Sequence, residues 1–169
     1  MHLYESGLVY LLTAVTYRRI PIFRNQKFAQ IAHEDIKFYT RKFRAEDLAH
    51  VIMPDHIHWV IRPSIENFDQ FTRDQQKGMK KYSRSPENYY LSKIMEDYKR
   101  HVSYSINRVR GTKHPQIWQP GFYDEVLSTT DAILNAVRYT LYNPVKDGLV
   151  EERDKYRFIG GDGLTWEYF

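Results

Sequence analysis

The sequence contains no cysteine, which removes disulfides and thiolate metal sites at once. A reducing cytoplasm suits such a chain. Nor does any stretch approach the roughly 18 consecutive apolar residues that cross a bilayer, so neither a transmembrane helix nor a membrane partner is expected. The N-terminal MHLYESGLVYLLTAV has a short apolar run, but no basic region precedes it and no small-residue cleavage site follows, so no signal peptide is expected. Internal repeats and low-complexity tracts are lacking as well. Charge is not extreme: a net +4 permits contact with phosphate backbones but is far from a polybasic tail.

What the chain does have is 169 residues, enough for one domain with a real core, and 14 tyrosines. Aromatic side chains interleaved with Lys and Arg can stack unpaired bases, although tyrosine is also ordinary core material.

The stretch that organises the chain is MPDHIHWVI, Met53 to Ile61. In a strand, His56 and His58 project to one face while Ile57, Trp59 and Ile61 face the other. Two imidazoles on one strand face can share a metal ion if a third ligand arrives from elsewhere. The plain alternative is a polar face with no chemistry.

The flanking pattern sets the fold. Leu8 to Thr16 reads as a strand, and Gln26 to Phe43 as a helix capped by Asn25. Leu48 to Met53 reads as a strand joined to the histidine strand through Pro54-Asp55, an antiparallel hairpin. Residues 64–84 are polar and basic, and 67–84 read as an insertion. A helix then starts at Ser85-Pro86-Glu87, carries an apolar stripe from Leu91 through Val109, and stops before Gly111. IWQPG is a loop, Phe122 to Leu127 a strand, and a last helix begins near Ser128 or Thr129. The order strand-helix-strand-strand-helix-strand is α+β and ferredoxin-like, an antiparallel sheet with helices on one side and an additional C-terminal helix over it. The whole chain, 1–169, reads as a single domain, with 160–169 a loosely attached tail.

On the last helix, Ile133, Leu134, Val137 and Leu141 share the arc that must be buried. Tyr139 and Asn143 lie on the opposite arc, four residues apart and one above the other, with Ala132 and Ala136 leaving room around them. Pro144 is expected to end the helix there. An amide oxygen from Asn143 can complete a site begun by His56 and His58, with the Tyr139 phenol one turn away. That arrangement fits attack by tyrosine on a metal-bound phosphodiester and a covalent phosphotyrosine. Asn before Pro is also a plain helix stop, and an exposed helical tyrosine is often just surface. Tyr142 and Tyr123 are the rival tyrosines.

MPDHIHWVI resembles the histidine-hydrophobe-histidine motif of single-tyrosine HUH transposases, and WQPGFYDEV with VRYTLYNPVKDGLV resembles the C-terminal block of their REP-associated branch. The similarity runs from about Gly7 to Tyr156. It implies a ferredoxin-like nuclease that cuts and rejoins single-stranded DNA, often beside repeat-derived hairpins. By this resemblance His56 and His58 match the metal pair, Asn143 the third ligand and Tyr139 the nucleophile. The implied metal is Mg²⁺ or Mn²⁺, and the implied products are a 5′-phosphotyrosine and a free 3′-hydroxyl. Asn143, where the insertion-sequence branch has glutamine, points to the REP-associated branch.

Lys93, Lys99, Arg100, Arg108 and Arg110, with Trp118 and Gln119 of the aromatic loop, are the candidate DNA contacts. The partner expected is single-stranded, hairpin-containing DNA, bound by a monomer or a homodimer. Two other readings stand beside this one: a domesticated hairpin-binding protein that does not cut, and a zinc hydrolase, which lacks an obvious carboxylate base apart from the turn residue Asp55.

Overall fold

A computed structural model describes residues 7–64, 86–113 and 115–167, with side chains from residue 90 onward in the second segment. The segment 67–84, expected as a polar insertion, lies outside the described residues. Five strands form one sheet: β1 (Val9–Val15), β2 (Glu46–Ile52), β3 (His56–Arg62), β4 (Tyr123–Leu127) and β5 (Ile159–Gly160). Among the described residues three α-helices accompany them: α1 (Gln26–Lys42), α2 (Pro86–Arg110) and α3 (Thr130–Lys146). The strand order is β4-β1-β3-β2-β5, and every adjacent pair is antiparallel. The first four strands keep the ferredoxin-like order, so the expected α+β architecture is the observed one.

Alternation along the strands decides which side each helix covers. Tyr10, Leu12 and Ala14 of β1 and Ile57, Trp59 and Ile61 of β3 point to one face. There they meet Ala32 and Ile36 of α1 and Leu91, Ile94, Tyr98 and Val102 of α2 in the larger core. The odd residues Val9 and Leu11, with Val60, point to the other face, where Ile133, Val137 and Leu141 of α3 close a second, smaller core. The third helix therefore lies across the sheet from the first two, on the face that carries the histidines. Val109, placed in the apolar stripe of α2 by its spacing, is 56% exposed in the last turn.

Local chemistry fixes the helix ends. The Asn25 side chain accepts from Lys27 N at 3.0 Å, and Thr129 accepts from Ala132 N at 3.1 Å. Pro144 does not end α3 as expected. It sits inside the helix, and the last turn is held by Asp147 N to Asn143 O and Leu149 N to Pro144 O. A proline removes one donor and disfavours the helical form of its neighbour, but these bonds downstream outweigh that local preference. The stop comes at Gly148, whose φ of 71° is the left-handed position that closes helices.

The expected loose tail is also corrected. Ile159 and Gly160 extend the sheet beside β2, and Trp166 is 9% exposed within the second core. Gly163 passes so close to α3 that an added Cβ would stand 2.4 Å from Val137 Cγ1. Apolar burial of an indole, worth a few kcal/mol at most sites, explains why a Gly-rich end fastens rather than frays.

Candidate functional site

The two histidines are the first and third residues of β3, directly after the hairpin turn from β2. That turn is braced by the connection leaving β1: Thr16 N donates to Asp55 O at 2.9 Å and Phe23 N to Pro54 O at 3.0 Å. Arg18 and Arg19 follow with φ of 53° and 54°, two consecutive non-glycine residues in the left-handed region. Such conformations cost on the order of 1 kcal/mol each and persist only where their surroundings hold them. Here Arg19 Nη1 donates to Asp55 Oδ2 at 3.3 Å.

His56 and His58 share a strand face, as their spacing predicts, with ring centroids 4.8 Å apart. Each ring is oriented through its Nδ1. His56 Nδ1 donates to Asp55 Oδ1 at 2.6 Å, so that in the neutral ring the lone pair is on Nε2. His58 Nδ1 lies 2.8 Å from Thr13 Oγ1, its cross-strand neighbour, and donation to that hydroxyl likewise frees Nε2. His58 is held neutral: burial, then the nearby His56 and Lys146, lower its pKa to about 4. Asp55 stays ionised; burial alone would raise its pKa, but His56 and Arg19 together hold it below the ordinary value. A carboxylate or hydroxyl behind each ligating imidazole is the usual outer support of a metal site.

Nothing in the sequence pattern points to Thr13, and Asp55 reads there as a turn residue. Asp55 adjoins the motif and could have been suspected. Thr13 could not, because only strand register brings it opposite His58.

Tyr139 arrives from α3. Its ring centroid is 5.3 Å from that of His58 at an interplanar angle of 63°, and the ring is 42% exposed. Lys146, two turns further along α3, sets its ammonium 5.2 Å from the same ring. The rival tyrosines lie differently. Tyr142 faces the Arg153 guanidinium at 5.5 Å, and Tyr123 sits 68% exposed on the edge strand β4. Asn143 is 3% exposed, and Ala136 is buried too, so the arc expected to be open around Tyr139 is mostly covered. The chain leaving α3 returns against the helix through Arg153–Lys155, a closure that helical spacing alone does not reveal.

Among the described residues, no group of three His, Cys, Asp or Glu side chains converges as a metal site. The structure brings His56 and His58 together, and Asn143 lies buried in α3. Two back-braced imidazoles on one strand face are donors suited to a divalent ion.

Most of the expected DNA contacts have other employment. Lys93 pairs with Asp97 at 2.9 Å, and Arg100 pairs with Asp97 and Glu96. Lys99 donates to the carbonyls of Gln119 (2.8 Å) and Gly121. Arg110 lies over the Phe28 ring at 4.8 Å. Trp118 is corrected outright as a stacking platform: it is 5% exposed, packed 5.4 Å from Phe23 and 6.0 Å from Tyr98. The Thr16–Trp118 bridge and the bond from Gln119 N to Val15 O dock this loop on the sheet, which turns the indole inward. Arg108 keeps an exposed side chain with no ion pair among the described residues.

The architecture is a REP tyrosine transposase-like fold. One solved structure that shares it is that of a REP-associated tyrosine transposase bound to a REP hairpin, with a TM-score of 0.59 and 22% identity, covering 94% of this chain and 79% of that one. A second is a putative transposase from Deinococcus radiodurans R1, with a TM-score of 0.52 and 14% identity, covering 85% of this chain and 95% of that one. No protein-family model and no curated protein matches the sequence. Among the described residues, no helix is long and apolar enough to cross a membrane.

Proposed function

We propose that the protein is a metal-dependent single-stranded DNA endonuclease and strand-transferase that cuts and rejoins DNA beside repeat-derived hairpins. The observation that carries this reading is the meeting of Tyr139 with the back-braced pair His56 and His58, on a fold shared with transposases. A phenol on a solvated helix has no structural need to stand against a ligand-competent imidazole.

In this reading the Tyr139 oxygen attacks a backbone phosphorus and the bond to the 3′-oxygen breaks. The phenolic proton leaves and the departing oxygen takes one up, giving a 5′-phosphotyrosine and a free 3′-hydroxyl. One ester replaces another, so a later 3′-hydroxyl can reverse the step without ATP. His56 and His58, with Asn143 as third donor, would hold Mg²⁺ or Mn²⁺, which when bound offsets charge on the non-bridging oxygens. Asp55 and Thr13 keep the imidazoles turned, and Lys146 brings a cation to the nucleophile's ring. The hairpin carried by the related transposase makes a hairpin-containing single strand the partner to test, for a monomer or a homodimer alike.

The test is incubation of the full chain with labelled single-stranded DNA from the flanks of its own gene, followed by a denaturing gel. A covalent protein–DNA band that needs divalent cation and Tyr139 is the expected result. Hairpin binding without any covalent band would favour a domesticated binding protein instead.

A further inference from the structure

Away from the histidines, the end of α2 and the turn that follows enclose a cavity of about 440 Å³, lined in part by Arg100, Tyr104, Asn107, Arg108 and Lys113. Arg100, Tyr104 and Arg108 are four residues apart and form a stripe of cation, ring and cation along one face of the helix. Arg100 is engaged by Asp97 and Glu96, but Arg108 and Lys113 have no acidic partner among the described residues. Cations at a helix C-terminus suit its dipole, so their presence alone means little. Tyr104 is harder to explain: 62% exposed at a concave site, with no ring or hydrogen-bond partner among the described residues. Asn107 donates from Nδ2 to Pro115 O at 3.3 Å, and its Oδ1, itself buried, has no partner among the described residues.

An open aromatic face and two cations without an acidic partner among the described residues match the parts of a nucleotide: a ring to stack and a phosphate to neutralise. The location fits as well. The chain leaving this cavity returns to the sheet where Ile117 O accepts from Tyr17 N at 2.9 Å, and the neighbouring Thr16 N bonds to Asp55 O at 2.9 Å. The cavity thus opens at the end of the sheet that carries His56, but on the α1 and α2 side. We infer that it is a second nucleic-acid subsite, which takes one unpaired nucleotide of a single strand with its base on Tyr104 and its phosphate between Arg108 and Lys113. The choice of DNA as that strand rests on the function proposed above.

The experiment uses the full chain and fluorescein-labelled oligothymidylate carrying 5-iododeoxyuridine, read by anisotropy and by peptide mapping after irradiation. The expected crosslink falls on the peptide that bears Tyr104. Tyr104→Ala should weaken binding roughly tenfold, and Tyr104→Trp should retain it. Arg108→Ala with Lys113→Ala should reduce the slope of log affinity against log salt by about 1 to 2. All three side chains are exposed, and unchanged circular dichroism shows that the variants fold. Crosslinks confined to other peptides, or variants that bind like the parent, overturn the subsite. The covalent band at Tyr139, read in the same samples, separates the two ideas: cleavage with unaltered binding sinks the subsite alone, and a Tyr104 crosslink without cleavage sinks the nuclease alone. A parent that binds no single strand sinks both.

Discussion

The ring of Tyr139 stands 5.3 Å from that of His58, although one comes from a helix and the other from a strand on a sheet that the helix crosses. The pair is held by the second core, in which Val60 of β3 packs with Val137 and Leu141 of α3. Packing of aliphatic side chains around the site thus sets the distance between phenol and imidazole, and local chemistry does not.

If Tyr139 is the nucleophile, Tyr139→Phe abolishes the covalent adduct while single-strand binding stays within about twofold, since only a hydroxyl is lost. Tyr142→Phe and Tyr123→Phe keep the adduct. A denaturing gel of all three variants checks the assignment, and adducts that survive in Tyr139→Phe would refute it.

Removal of the outer support should show as a change in metal demand. If His56 and His58 hold the metal, Asp55→Ala or Thr13→Val leaves both imidazoles in place but frees His56 or His58, respectively, to rotate. The divalent concentration for half-maximal cleavage is then expected to rise roughly 10- to 100-fold. A titration with Mn²⁺ measures it, and an unchanged midpoint would count against the ligand roles of His56 and His58.

Acid should act on the fold through a different histidine pair. His50 bridges Asp47, 2.6 Å from its Nδ1, and His33, whose Nδ1 lies 3.1 Å from His50 Nε2. Burial, followed by the neighbouring His50, Lys37 and Arg157, lowers the His33 pKa from 6.5 to about 3. The unfolded chain therefore binds a proton at His33 that the folded chain refuses between those values. Its contribution is complete above pH 6.5 and drains away as the pH falls toward 3. Urea midpoints measured across that window should fall with pH in the parent and fall less steeply in His33→Gln.

The C-terminal end is expected to contribute to stability. Trp166→Ala should cost about 3 kcal/mol, near the lower end for truncating a buried tryptophan because the ring keeps some exposure. Gly163→Ala should also destabilise, since Val137 Cγ1 at 2.4 Å and Leu48 O at 2.8 Å stand where a methyl group would go. Thermal melts compare both with the parent. Melting temperatures equal to the parent's would mean that the packing of residues 160–167 adds nothing to stability.

Near-neighbour chemistry determined much of this protein on its own. Strand alternation placed His56 and His58 on one face, helical period put Tyr139 and Asn143 one turn apart, and the order of elements led to the ferredoxin-like sheet. These patterns are legible because they repeat over two to four residues, the distances at which side chains on one element are already neighbours. The tertiary structure alone decided that α3 crosses the opposite face, that Thr13 braces His58, that Trp118 turns inward and that Trp166 is pinned. It also decided that Pro144 stays inside the helix, a conformation imposed by bonds made several residues downstream. The first four depend on contacts between segments far apart in the chain, and period and propensity do not encode which distant surface a residue will meet.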